Sequence, residues 1–334
     1  MRIALKTALR TAALARGILS RRQWPVALAL LLLIVALAMP PITLPRNTAS
    51  YIVTFDITQS MDTEDVGASD APSSRLDFAR AAMRETLGKL PCGFKVGWSV
   101  FTGQRTLLLL PPVEVCGNFD ALQSSLNEID GRMRWTNWSR IAEGGIYSAV
   151  STAQNAGHNT AVIFMTDGQE APPVLSSNDR VRDIANSKVH GWLIGVGGDQ
   201  PANIPRTDAN GNKAGFWRAD QVIQVPTIPG KPATAESHEE LSELRGDYLA
   251  SVASRIGFGY RRLVAADALT SAMLDPRLTH SEPAPTHLEW CPALLALLLL
   301  TWRFLPLHGL RGLLIRRRSG DERGRSNVKG PVPG

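Results

Sequence analysis

Two short stretches of this chain place hard oxygen ligands directly behind apolar runs. Asp56-Ile57-Thr58-Gln59-Ser60 follows residues 51–55, and Thr166-Asp167-Gly168-Gln169-Glu170 follows residues 160–165. Two carboxylates at strand ends and two hydroxyls two residues apart form a donor set that suits Mg²⁺, Mn²⁺ or Ca²⁺ and not zinc. So few carboxylates leave coordination positions for water or for an oxygen from a partner. The plain alternative is that Asp56 and Asp167 cap turns and helices. Asp208-Ala209-Asn210-Gly211-Asn212 looks faintly like a calcium loop but has Gly in the fourth place, so it reads as a turn. Trp135 and Trp138 would form either an aromatic rim or loop packing, and Met61 reads as a packing residue. The six histidines are scattered without metal-ligand spacing.

The elements that must position these residues alternate along the chain. Strand-like runs at 51–55, 94–101, 106–110, 160–165, 189–196 and 260–264 are interleaved with helical patterns at 75–90, 119–129, 139–154, 177–185 and 237–255. This alternation predicts an α/β fold, a doubly wound and mostly parallel sheet with one antiparallel edge strand from the hairpin at 94–110. In such a fold ligands bind at the carboxyl ends of the strands, where both acidic stretches begin. Residues 201–232, rich in Pro, Gly, Asn and Asp with a strand-like piece at 221–225, read as an irregular excursion. Ser237 would cap the last long helix, with Glu239 and Glu240 in its first turn. Cys92 and Cys116 flank the hairpin symmetrically about Gln104, which predicts a disulfide in an exported domain; two buried thiols are the alternative.

The net charge of +6 is unevenly distributed: residues 1–23 hold six basic residues and no acid, and residues 303–334 hold eight basic residues against Asp321 and Glu322. The part between them carries 22 basic and 28 acidic residues, so a nucleic-acid partner is not expected. Each basic segment adjoins an apolar run. Residues 24–44 predict a transmembrane signal-anchor, or a cleaved signal peptide ending near Ala36-Leu37-Ala38. Residues 287–307 predict a second, short or tilted transmembrane helix after a helix and Pro-rich linker at 266–286. Basic segments 1–23 and 308–334 would then be cytoplasmic, with the body outside, facing the periplasm. No Gly-x-Ser-x-Gly elbow or phosphate loop is present, and Gly195-Val196-Gly197-Gly198 lacks a dinucleotide pattern, so no enzymatic activity is expected.

These motifs together resemble a von Willebrand factor A domain over residues 49–265, a Rossmann-like fold flanked here by two transmembrane helices. Its metal-ion-dependent adhesion site has an Asp-x-Ser-x-Ser loop, a separate Thr, and an Asp followed by Gly. The resemblance implies a metal set of Asp56, Thr58, Ser60, Ser139 and Asp167, with Thr for the first Ser; Thr136 is the alternative to Ser139 as the third hydroxyl. A protein partner would supply an Asp or Glu to the metal. The layout resembles the bacterial membrane-anchored group that includes the Bat aerotolerance proteins and the MxaL and MxaC type accessory proteins of methanol dehydrogenase. That resemblance implies an inner-membrane accessory or maturation factor for an exported metalloenzyme, with calcium insertion into an exported dehydrogenase. The alternative it implies is a Bat-type aerotolerance or envelope-integrity protein acting with a MoxR-type ATPase.

Overall fold

The computed structural model describes residues 23–68, 71–157, 159–173, 178–208, 210–224, 238–286 and 288–305. The basic segments 1–22 and 306–334 lie outside the described residues, as does Ser237. The chain forms two units: Pro45–Glu282, and the flanking stretches Met1–Leu44 and Pro283–Gly334.

The first unit is built on a six-stranded sheet of β1 (Ser50–Asp56), β2 (Lys95–Phe101), β3 (Thr106–Glu114), β4 (Thr160–Thr166), β5 (Gly191–Gly195) and β6 (Gly259–Arg262). Its order is β3-β2-β1-β4-β5-β6. All neighbours are parallel except β2 and β3, which form the antiparallel edge. The strand order reverses direction between β1 and β4, and a crevice opens at the carboxyl ends of strands at such a switch point. Every residue of β1 and β4 is buried, as expected for central strands covered on both faces.

Side chains alternate between two cores. Tyr51, Val53 and Phe55 join a core with α1 (Arg75–Leu87), α2 (Phe119–Asn127) and α6 (Ala266–Met273). Ile52, Val162, Phe164 and Leu193 join the opposite core with α3 (Tyr147–Ala156), α4 (Asn178–Asn186) and α5 (Gly246–Ile256). In α1 the buried Leu76, Ala79, Met83 and Leu87 fall on one face, and Ser74 caps its start by accepting from the Asp77 amide at 3.0 Å. Because α6 packs into the core, the unit runs beyond the expected 49–265, and 280–286 is a strand, not a linker.

Three local expectations are corrected. The helix expected over 237–255 begins only at Gly246, because Leu241–Ser242 pairs as a strand with Ala202–Asn203. The helix expected from 139 starts with a π-helical turn, Ile141–Ile146, leaving Ser139 in the preceding segment. The strand-like piece at 221–225 is not a strand in its described part, since Ala219–Gln221 is a 3₁₀ turn.

In the second unit the two apolar runs form helices Trp24–Ala38 and Trp290–Phe304, of 15 residues each. The Trp24 and Trp302 rings lie 6.4 Å apart, so the start of one helix meets the end of the other. Ala29 and Ala296 are buried, while Leu30, Leu31, Leu37, Leu295, Leu297 and Leu298 are exposed. At 1.5 Å per residue these helices reach about 22 Å, short of the roughly 30 Å hydrocarbon core. No described helix is long and apolar enough to cross a membrane. The transmembrane helices expected over 24–44 and 287–307 are therefore not found among the described residues: the prolines at 40 and 41 end the first helix at Ala38 and Ile42–Thr48 is extended, and the second helix is confined to Trp290–Phe304.

Candidate divalent-cation site

At the carboxyl end of β1, the fully buried Asp56 organises the loop that follows. Its Oδ1 accepts from the Thr58 amide at 2.9 Å and from Thr58 Oγ1 at 2.7 Å, and its Oδ2 accepts from Thr166 Oγ1, at the end of β4, at 2.6 Å. Thr58 Oγ1 and Ser60 Oγ are 3.3 Å apart. Met61, fully buried, anchors the next turn in the core. Arg134 closes the loop from outside, donating to the Ile57 carbonyl at 2.6 Å and pairing with Asp62 at 2.9 Å.

Asp167 follows β4 and is also fully buried. Its Oδ1 accepts from the Gln169 amide at 2.9 Å, while its Oδ2 pairs with Arg75 Nη1 at 2.7 Å. Gly168 has φ of 85°, and a Cβ there would press on the Arg245 and Leu249 side chains, so this turn requires glycine. The fully buried Arg75 guanidinium also binds Asp65 at 2.6 and 2.9 Å, Ser242 Oγ at 2.7 Å and the Ser242 carbonyl at 3.0 Å. One side chain thus ties Asp167 to Asp65 and to the short strand at 241–242.

Ser139 reaches the site by another route. Its amide and carbonyl bridge Ala171, with N···O distances of 2.7 and 3.0 Å, and the Arg140 amide donates to the Gly103 carbonyl at 2.7 Å. Gly103 has φ of 101°, and a Cβ there would overlap the Trp138 carbonyl oxygen, so the hairpin turn must be glycine for this segment to lie against it. Ser139 is 2% exposed, and its hydroxyl has no hydrogen-bond partner among the described residues. The Thr54 and Ser99 hydroxyls are likewise unpaired, but these residues are register partners on the adjacent strands β1 and β2, whereas Ser139 lines the same cleft as Thr58 and Ser60. Thr136 Oγ1 instead accepts from the Trp138 amide at 3.1 Å and does not line the cleft.

The electrostatics follow from this burial. Desolvation, and then the Asp167 charge, push the Asp56 carboxyl up to about 7 against the opposing hydrogen bonds of Thr166 and Thr58. Burial also raises Glu170, although it caps the turn after Ser139 by accepting from the Ile141 and Ala142 amides at 3.0 and 3.2 Å and from Tyr248 at 2.9 Å. The structure therefore brings Thr58, Ser60 and Ser139 to one crevice, with Asp56 bonded to Thr58 behind it and Asp167 held by Arg75. Sequence reasoning missed Arg75, Ser242 and Arg134, which lie far away in the chain and follow no spacing. It could have found Thr166, the last residue of a strand whose neighbour ends in Asp56.

The expected disulfide pair is bonded: Cys92 and Cys116 form a bridge with Cα atoms 5.2 Å apart, beyond the Lys95–Glu114 end of the β2–β3 ladder and away from this crevice. Asp208 accepts from the Asn210 and Asn212 amides at 2.9 and 2.8 Å, the geometry of a turn. Trp135 and Trp138 are 58% and 52% exposed, and of the two Trp138 lines the cleft.

No family profile matches the chain. It is 25% identical over 284 residues to a UPF0353 protein of Mycobacterium leprae, covering 75% of this chain and 78% of that protein. Among solved structures it is similar to an aerotolerance-related membrane protein from Bacteroides fragilis, at 17% identity and TM-score 0.47 over 67% of this chain and 96% of that one. It is also similar to BatB from Bacteroides thetaiotaomicron, at 19% identity and TM-score 0.47 over 67% and 95% of the two chains.

Proposed function

We propose that residues 45–282 form a von Willebrand factor A type binding domain that engages a protein partner through a divalent cation. The observation that carries this reading is the buried Ser139 hydroxyl, without a partner among the described residues, on a residue that lines the same cleft as Thr58 and Ser60 at the switch point of the sheet. A buried hydroxyl without a partner costs stability unless a ligand completes it. Thr58, Ser60 and Ser139 would hold the ion through hydroxyl oxygens, with Asp56 and Asp167 acting from behind them. The cation would supply a Lewis-acidic position for a carboxylate of the partner. Mg²⁺, Mn²⁺ and Ca²⁺ all suit such oxygens.

The domain would be tethered at the inner membrane by the two apolar helices and face the periplasm. The exposed leucines of those helices support membrane association, and the disulfide supports an oxidising compartment. The role we propose is that of an accessory factor for an exported metalloenzyme of the methanol dehydrogenase type, acting by binding and not by catalysis.

Isothermal titration of the purified chain with each of the three cations tests the site. Saturable uptake, lost in Asp56→Ala, is expected; no uptake, or uptake indifferent to that substitution, would overturn the reading. Co-purification with the exported dehydrogenase encoded in the same cell tests the accessory role, and its absence when the domain is loaded with cation would discard that role alone.

A further inference from the structure

The walls of the cleft specify more than a carboxylate. The cleft, of about 270 Å³, opens above Thr58, Ser60 and Ser139 between Trp138 and Pro172 on one side and Ile204, Trp217, Val222 and Ile223 on the other. Trp217 is built into the cation loop itself, because its indole Nε1 donates to the side chain of Gln59, the residue between Thr58 and Ser60. An arginine stacks on each tryptophan: Arg140 lies 5.8 Å from the Trp138 ring centroid and Arg206 lies 5.3 Å from that of Trp217. Of the residues lining the cleft, Trp138 and Ile223 are 52% and 65% exposed. Large apolar side chains left in water around a polar centre mark an interaction surface, with the aromatic anchors carrying most of the energy.

We infer that this cleft takes an acidic protein segment in which an Asp or Glu stands immediately beside a bulky apolar residue. The carboxylate would sit over the hydroxyls, and its apolar neighbour would fill the space between Trp138 and Trp217. Arg140, which also donates to the Pro172 carbonyl, and Arg206 place positive charge beside the cleft, while Glu239, the one carboxylate lining it among the described residues, is paired with Arg245 at 3.0 Å, a balance that favours an acidic segment over a basic one. The inference rests on the cation reading above, since it places the carboxylate on that ion.

The test uses the full chain in detergent and three fluorescein-labelled, end-capped peptides: Gly-Ala-Asp-Leu-Ala-Gly, the same peptide with Gly for Leu, and the same peptide with Asn for Asp. Fluorescence anisotropy in Mg²⁺ is expected to show binding of the Asp-Leu peptide, at least about tenfold weaker binding when Leu becomes Gly, and loss of binding with Asn. Trp217→Ala, and independently the solvent-exposed Ile223→Ser, should narrow the gap between the Leu and Gly peptides. Equal binding of those two peptides, or none by either while calorimetry shows Mg²⁺ uptake, would overturn the inference and leave the cation reading standing. Absence of Mg²⁺ uptake would remove both. Light scattering that shows a dimer which Trp217→Ala dissociates would give the cleft to a second copy and also overturn the inference.

Discussion

Ser139 carries a hydroxyl that is buried and without a partner among the described residues, so removing it takes away no hydrogen bond of the protein. Ser139→Ala should therefore leave stability within about 1 kcal/mol of the parent, because only a desolvated polar group is lost. Cation affinity should fall by roughly tenfold or more, the cost of one oxygen ligand at about 1.4 kcal/mol. Urea denaturation and calorimetry on the same preparation separate the two. Asp56 makes a second prediction. Its carboxyl titrates near 7 in the folded chain, above its ordinary value of 3.8, so between those values the folded state holds a proton that the unfolded state has released. That contribution is full below pH 4 and lost as pH rises through 7, at up to about 1.4 kcal/mol per pH unit. In chelator the melting temperature should be lower at pH 7.5 than at pH 5.5. Added Mg²⁺ should shrink the difference by stabilising the carboxylate, and Asp56→Asn should abolish this part of the slope. Differential scanning fluorimetry reads all three.

Elements are positioned by features of differing visibility. The disulfide at the far end of the hairpin closes a separation of 24 residues around β2 and β3. In the chain-entropy picture, such a loop loses about 3 kcal/mol when the link is cut. The Cys92→Ser/Cys116→Ser double variant should show that loss in urea denaturation while binding cation as the parent does, because the bridge lies away from the crevice. The apolar runs of β1 and β4 and the placement of Asp56 and Asp167 were legible in the sequence, since a central strand buried on both faces needs a nearly continuous apolar run and its end is marked by the polar residues that follow. The start of α5 was not legible. Residues 237–245 have helical composition, but Leu241–Ser242 is drawn into pairing with Ala202–Asn203, and Ser242 is held by Arg75. Tertiary contacts there override local propensity. Arg75 itself was invisible for the same reason: in sequence it is an ordinary first residue of an amphipathic helix, and only the fold gives it Asp65 and Asp167.

For the whole molecule, the charge division poses a physical choice about how the chain is held at a membrane. Basic segments at 1–23 and 303–334 surround an acidic body, so attachment could be electrostatic, through anionic lipid headgroups, or apolar, through the helices Trp24–Ala38 and Trp290–Phe304. The two differ in salt dependence. Charge attraction between exposed groups is screened within about 3 Å at 1 M salt, whereas apolar burial is not weakened by salt. The exposed leucines on both helices favour the apolar mode, which is costly in water and favourable in lipid. Neither helix is long and apolar enough to cross a membrane, so the apolar mode needs only that their exposed leucines enter the lipid. Membranes washed in high salt should therefore retain the protein, and detergent should release it; release by salt alone would assign the attachment to the basic segments. If the helices do cross, the basic segments hold both ends on the cytoplasmic side. An alkaline phosphatase fusion after residue 200 should then be active and one after residue 320 inactive, and the reverse pattern would place the acidic body on the cytoplasmic side.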